Sequence, residues 1–534
     1  MPIYLLVATT VMIACIIFNK ISSKLGIPML LAFIVLGMCF GSDGIFKIPF
    51  DNFQFAEQIC SIALIFIMFY GGFGTKWSEA KPVAAMAILL STLGVVLTAA
   101  ITGLFCFFVL KIDLLESFLI GSVISSTDAA SVFSILRSKQ LNLRYNTASM
   151  LELESGSNDP CSYMLTVITL SLMGDSANGG NFVYMVFAQI VYGVVFGVGI
   201  AFAALFILKH FRFETKGFDT IFVFAIALLA YAAPFALGGN GYLSVYIVGI
   251  ILGNRPIKNK QSLVHFFDGV TGLVQMLIFF LLGLLAFPSR MPQVVLLAVI
   301  IALFLTFVAR PAAVFAILSP FGCRWKQQTV VSFCGLRGAA SIVFAVMVTV
   351  SPVQTNHDVF HIVFCIVLFS ILFQGSLLPI VSKKLDMIDE HANVLKTFND
   401  YTEEVAVQFI QFTMNESHPW MGKQIKDIVL PPETLLVFLQ RGTEKITPNG
   451  DTVLCAGDIL VLSAKAPRIV YGISLTELHL QSGDSWLGKK VASIHLDTDK
   501  LIIMIQRGGK IVIPSGETVL KEDDVLVINQ SEHT

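Results

Sequence analysis

Leu151-Glu152-Leu153-Glu154-Ser155-Gly156-Ser157-Asn158-Asp159-Pro160 is the stretch on which the reading of this chain turns. It sets Glu152, Glu154 and Asp159 inside an otherwise apolar run. Helical spacing puts Glu152, Ser155 and Asp159 on one stripe at i, i+3 and i+7, with Glu154 and Asn158 on the stripe beside it. Pro160 has no backbone N–H and so frees the carbonyl of Gly156. Carboxylates at this depth need partners, and the deep basic groups on offer are Arg337 and Arg310. One carboxylate can pair with Arg337 and stay ionised, which leaves another to exchange a proton for a metal cation. Hard monovalent cations take oxygen ligands, and carboxylate, hydroxyl and carbonyl oxygens are what the stretch supplies.

The surroundings are those of a membrane. The chain has 534 residues, of which 55% are hydrophobic and 13% charged, and its mean hydropathy is +0.79. A soluble chain would carry roughly a quarter charged residues. This composition excludes a disordered or nucleic-acid-binding protein. The formal net charge of −1 hides a division: residues 1–384 hold 22 basic and 15 acidic groups, residues 385–534 hold 13 and 21. The nine cysteines form no CxxC or zinc spacing and read as buried reduced thiols.

Apolar runs long enough to cross a bilayer number thirteen, beginning near Ile3, Pro28, Cys60, Pro82, Leu114, Thr147, Phe182, Phe218, Gly241, Phe266, Val294, Thr329 and Val359. The stretch from Phe218 to Gly253 is too long for one span and breaks at Gly238-Gly239-Asn240-Gly241. Loops after odd-numbered spans carry 17 Lys and Arg, and the alternate loops carry 3, Lys47, Lys111 and Arg290. The bias of basic residues toward the cytoplasm then puts the N-terminus outside and the C-terminal tail inside.

Two further spans read as interrupted. The fifth holds Ser125-Ser126-Thr127-Asp128, whose side chains compete with helix hydrogen bonding. The twelfth holds Gly335-Leu336-Arg337-Gly338. Each interruption leads into Ala-Ala-Ser, at 129–131 and 339–341, in spans of opposite direction. That pattern predicts inverted repeats with a site at the membrane midplane, and dipole charges at the broken ends that Asp128 and Arg337 can compensate. Arg310 is expected to snorkel to the interface, and Glu152 to be structural or to lie near the cytoplasmic vestibule.

These three motifs, in this order, resemble the monovalent cation:proton antiporters, specifically the NhaP-type, sodium/proton-exchanger-like branch with Asn-Asp in the sixth span. The resemblance implies that Asp159 binds cation and proton by turns. It implies that Asn158 holds helices together without a second exchangeable charge, giving electroneutral exchange. Glu154 would pair with Arg337, Ser155 and the Thr127 backbone would help ligate the cation, and Asp128 would stabilise the crossed helix ends. Ala129 stands where the family often has Pro. A core of spans 4–6 and 11–13 against a dimerisation unit, in a homodimer, is implied as well.

The tail repeats itself at a spacing of 66: Trp420-Met421-Gly422-Lys423 matches Trp486-Leu487-Gly488-Lys489, and Gln440-Arg441-Gly442 matches Gln506-Arg507-Gly508. Short apolar strands bounded by Arg-Gly and Pro-x-Gly turns, with an amphipathic helical piece after each Trp-x-Gly, make two α+β units. They resemble C-terminal RCK (TrkA-C) modules, which implies regulation and a small nucleotide effector such as a cyclic dinucleotide. Domain limits are then a transmembrane domain at 1–384, a connector at 385–404, and modules at 405–470 and 471–534. No cofactor is called for, and no catalytic constellation suggests an enzyme.

The reading is thus a polytopic helical membrane protein with a cytoplasmic tail, in a plasma membrane of bacterial inner-membrane type, exporting K⁺ against inward protons. The alternatives are a Na⁺/H⁺ antiporter of the same mechanism and an RCK-gated cation channel. A channel would need a repeated carbonyl ring such as TVGYG, and the sequence holds no such string.

Overall fold

The chain separates into two units, Met1–Glu403 and Glu404–Thr534. The computed structural model describes residues 9–17, 29–139, 141–174, 179–211, 217–257 and 260–389 of the first unit. Of the second it describes 407–416, 418–431, 434–442, 444–446, 448–465, 473–480, 484, 486–494, 500–507, 510–512 and 514–531. The expected span starts at Ile3 and Pro28, loop residues Lys20, Lys24, Arg212, Lys216 and Lys258, and most of the connector lie outside the described residues.

The first unit is helical. After α1 (9–17) come α2 (Met29–Phe40), α3 (Phe53–Gly74), α4 (Lys81–Phe108), α5 (Leu114–Val123) and α6 (Ala129–Ser138). Next are α7 (Thr147–Met173), α8 (Gly179–His210), α9 (Phe218–Phe235), α10 (Gly241–Gly253) and α11 (Lys260–Leu285). The unit ends with α12 (Met291–Phe321), α13 (Trp325–Phe333), α14 (Ala339–Val350) and α15 (Val359–Lys384). Among the described residues, seven helices are long and apolar enough to cross a membrane, and four shorter apolar ones accompany them.

Local chemistry explains the boundaries. The side chain of Asn240 accepts from the Leu243 N–H at 3.0 Å and so starts α10, and Gly238 turns the chain before it at φ +79°. The same Asn240 donates to the Pro160 carbonyl at 2.8 Å, tying α10 to α7 one residue past Asp159. Small residues set the closest approach of α2 and α11. A Cβ on Gly37 would lie 2.2 Å from the Phe280 carbonyl oxygen, and one on Gly283 2.2 Å from that of Ile34. Three helices carry a π turn, at Leu90–Gly94 in α4, Leu305–Ala309 in α12 and Ser370–Gln374 in α15. Such turns admit an extra residue and re-aim the side chains of the next helical turn. All nine cysteines are unpaired.

In the second unit the duplication is visible strand by strand. β1 (Val407–Thr413), β2 (Thr434–Arg441), β3 (Glu444–Ile446) and β4 (Ile459–Lys465) form a sheet in the order β1-β4-β2-β3. β5 (Ile473–His479), β6 (Lys500–Arg507), β7 (Lys510–Val512) and β8 (Val525–Ser531) repeat that order as β5-β8-β6-β7. Even the bulges correspond, between Leu436 and Phe438 and between Ile502 and Met504. Each sheet buries a small cluster around Leu439 or Ile505. The helical piece expected after Trp-x-Gly is a correction: among the described residues these segments hold only 3₁₀ turns, Ile425–Asp427 and Val491–Ser493. Their runs are too short to repay helix nucleation, and the N–H groups pair elsewhere, Ile425 with Thr452 O and Val491 with Thr518 O.

Candidate ion-exchange site

Two helix pairs stop short of each other at the centre of the first unit. Between α5 and α6 the chain is extended over Thr127 and Asp128, and between α13 and α14 over residues 335–338. Both second halves begin at the Ala-Ala-Ser triplets, at Ala129 and Ala339. The two breaks touch: the Asp128 N–H donates to the Leu336 carbonyl at 2.7 Å.

Each break supplies the other, or itself, with the missing charge. Arg337 Nη1 donates to the carbonyls of Ser125 and Ser126, both at 2.7 Å, where α5 has ended. The Asp128 carboxylate accepts from the N–H groups of Ala130 (2.9 Å) and Ser131 (3.3 Å) and from the Ser131 hydroxyl (2.6 Å), where α6 begins. A cation at orphaned carbonyls and an anion at orphaned amides are the arrangement that helix dipoles favour. Gly338 permits the crossing, since a Cβ there would lie 2.5 Å from Asp128 Cβ and 2.6 Å from its Oδ2.

Helix α7 runs past the crossing and presents its polar stripes to it. Ser155 Oγ donates to the Thr127 carbonyl at 2.9 Å and accepts from the Ala129 N–H at 2.9 Å, bridging the α5–α6 break. Asn158 Nδ2 donates to Thr127 Oγ1 at 2.6 Å. Asp159 Oδ1 accepts from the Ser126 hydroxyl, and among the described residues Asp159 makes no ion pair. The structure therefore brings Asp159, Ser155, Thr127, Asn158 and Asp128 together.

Glu154 departs from the expectation. It is paired with Arg310 rather than Arg337, and the two groups are 1% and 2% exposed. Arg310 accordingly does not snorkel. It directly follows the π turn of α12, and its guanidinium packs inward against Gly335, where an added Cβ would lie 2.9 Å from its Nε. Sequence reasoning also left out the support of Arg337. The π turn of α15 brings Ser370 Oγ to accept from the Arg337 N–H at 3.1 Å, and Gln374 Nε2 to donate to the Phe333 carbonyl at 2.7 Å. Two polar side chains in the apolar run of α15 were the available signal.

A cavity of ≈ 450 Å³ opens beside the crossing. One wall is formed by Ser126, Thr127, Asp128, Ser155 and Asp159, and the opposite wall by α3 and α11. A family description, "Sodium/hydrogen exchanger, transmembrane", matches residues 8–384. The chain belongs to the sodium/hydrogen exchanger family. A second description, the TrkA-C domain, matches residues 409–469 and 475–529.

Curated relatives of this exchanger include the K(+)/H(+) antiporter NhaP of Alkalimonas amylolytica, 33% identical over 86% of this chain and 81% of that protein. The K(+)/H(+) antiporter NhaP2 of Shewanella sp. (strain MR-4) is 32% identical over 86% of this chain and 80% of that protein. A probable Na(+)/H(+) antiporter of Methanocaldococcus jannaschii is 28% identical over 56% of this chain and 73% of its own. The solved sodium proton antiporter MjNhaP1 of that organism shares the fold, with a TM-score of 0.63 at 24% identity over 72% of this chain and 99% of that one.

Proposed function

We propose that this exchanger is a secondary antiporter that carries cytoplasmic K⁺ out against external H⁺, with Asp159 as the group that both ions contest. The observation that carries the reading is the division of labour at the crossing. Asn158 is committed to Thr127 and Asp128 to the start of α6, whereas Asp159 lines the cavity with a hydroxyl as its partner. A single contested carboxylate takes one cation or one proton, so exchange is electroneutral. The cation is held by Asp159, Ser155 and the Thr127 carbonyl; Glu154, Asn158, Asp128 and Arg337 maintain the scaffold around it. Rigid-body movement of the crossed-helix core against the α3–α11 wall exposes the site to each side in turn.

The K⁺ preference rests on the likeness to relatives named K(+)/H(+) antiporters. The likeness to proteins named sodium antiporters favours Na⁺ as the second reading. We take the membrane domain as thirteen spans within residues 1–384, supported by the long, short and interrupted apolar helices together. The basic-loop bias supports an outside N-terminus and a cytoplasmic tail, with the connector at 385–404 and modules at 405–470 and 471–534. A plasma membrane of bacterial inner-membrane type, a homodimer, and regulation through a cyclic-dinucleotide-type effector complete the proposal. The test is proton flux in proteoliposomes, read by an internal pH dye after addition of K⁺, Na⁺ or choline. A response to K⁺ that disappears in Asp159→Asn is expected. A response to Na⁺ alone would replace the cation, and ion currents without proton coupling would replace the antiporter with a channel.

A further inference from the structure

Two oxygen-bearing side chains on the cavity wall have no part in the crossing itself: Glu152 of α7 and Gln275 of α11. Glu152 lies two helical turns before Asp159 on the stripe that also carries Ser155, about 10.5 Å along the axis. It is half-buried, as are Ser155 and Gly156 between it and Asp159. Across the cavity, α3 and α11 contribute Leu64, Ile67, Met68, Gly71 and Phe279, and among the described residues Gln275 is the one polar side chain on that wall.

We propose that Glu152 and Gln275 form an entry station that receives the cation from the tail side and passes it to Asp159. The inference rests on the antiport reading and on the cytoplasmic placement of the N-terminal end of α7. Glu152 is then the carboxylate nearer the cytoplasm, five residues into α7, and Asp159 the deeper one. The axial separation is several times a cation–oxygen contact, so the two carboxylates act in succession and not on one ion together. A carboxylate in a cleft with apolar walls focuses the field and raises the local cation concentration. An ion that sheds water there needs replacement oxygens, and the Gln275 amide supplies a neutral one from the opposite wall. Because Gln275 belongs to the wall and Glu152 to the moving core, the station exists only while the core faces the tail side.

The experiment measures exchange in proteoliposomes against K⁺ concentration on the tail side, for wild type, Glu152→Gln, Glu152→Asp, Gln275→Leu and Asp159→Asn. Glu152→Gln is expected to raise the half-saturating K⁺ concentration roughly three- to tenfold, with a much smaller change in maximal rate. The defect should shrink as choline chloride screens the charge, and Glu152→Asp should recover most of it. Gln275→Leu should raise half-saturation in the same direction and reports on the station even if Glu152→Gln fails to fold. Unchanged half-saturation in both variants, or a salt-independent loss of maximal rate alone, would overturn the station. Asp159→Asn separates the two claims. If it still exchanges, the antiport reading fails; if it is dead while Glu152→Gln and Gln275→Leu behave as wild type, only the station fails.

Discussion

Replacing Arg310 with Met tests the buried pair that the fold chose over the expected one. Glu154 and Arg310 are 1% and 2% exposed, so neither can turn to water when its partner is removed. Stranding one member of such a pair costs roughly 3–5 kcal/mol. Arg337→Met removes two charge-assisted bonds to the Ser125 and Ser126 carbonyls, a loss of comparable size at about 1.5–3 kcal/mol each, so the single variants do not discriminate. The double variants do. Glu154→Leu with Arg310→Met swaps a charged pair for apolar side chains and is expected to recover most of the loss. Glu154→Leu with Arg337→Met is expected to be worse than either alone. The assay is the apparent melting midpoint of purified full-length protein in detergent, followed as the monodisperse fraction after heating and analysed as a double-mutant cycle. Strong coupling of Glu154 to Arg337 with none to Arg310 would refute the assignment.

Other outcomes rest on the same contacts. Gly338→Ala puts a Cβ 2.5 Å from Asp128, and the overpacking should cost about 1–3 kcal/mol and depress exchange and midpoint together; normal behaviour in both would mean the breaks do not cross as described. Ser155→Ala orphans the Ala129 N–H and frees the Thr127 carbonyl. A loss of about 1.4 kcal/mol in cation binding is a tenfold rise in half-saturating K⁺, and an unchanged value would remove Ser155 from the site. In the tail, Arg441 and Arg507 hold the buried carboxylates of Asp458 and Asp524 below the ordinary carboxylate range through their hydrogen bonds. Depressed folded values mean that this stability is present above about pH 4 and is lost as pH falls through the folded values. Hydrogen exchange of the full chain should show the sheets loosening on acidification below that point. Asp458→Asn should flatten the dependence in the first module only, and an equal change in the second would contradict it.

How much of this was legible in the sequence depended on whether the signal was local. The Ala-Ala-Ser triplets mark helix starts because Asp128 caps the turn after it, and Gly338 is required by the backbone beside it; both effects lie within a few residues. Asp159, Ser155 and Asn158 could be put on adjacent stripes from helical spacing alone. The partner of Glu154 could not, because it depends on the direction in which a distant helix aims its side chains. The π turn at Leu305–Ala309 alters that direction just before Arg310, and ordinary helical spacing carries no trace of it. Ser126 was visible in the interrupted motif, yet which hydroxyl reaches Asp159 is decided by the extended path of the break. In the tail, strands and bulges recur at 66 residues because the duplication preserved each ladder position. The expected helical pieces failed because apolar spacing over so few residues does not distinguish a 3₁₀ turn from a helix.

The most direct test of one contested carboxylate is the balance point of exchange. Proteoliposomes are given opposed K⁺ and pH gradients, the membrane voltage is clamped at several values, and the gradient pair at which net proton flux vanishes is recorded. The account predicts zero flux when the K⁺ ratio equals the proton ratio, at every voltage, and no flux in Asp159→Asn. A balance point that moves with voltage, or flux that survives the loss of Asp159, would contradict it.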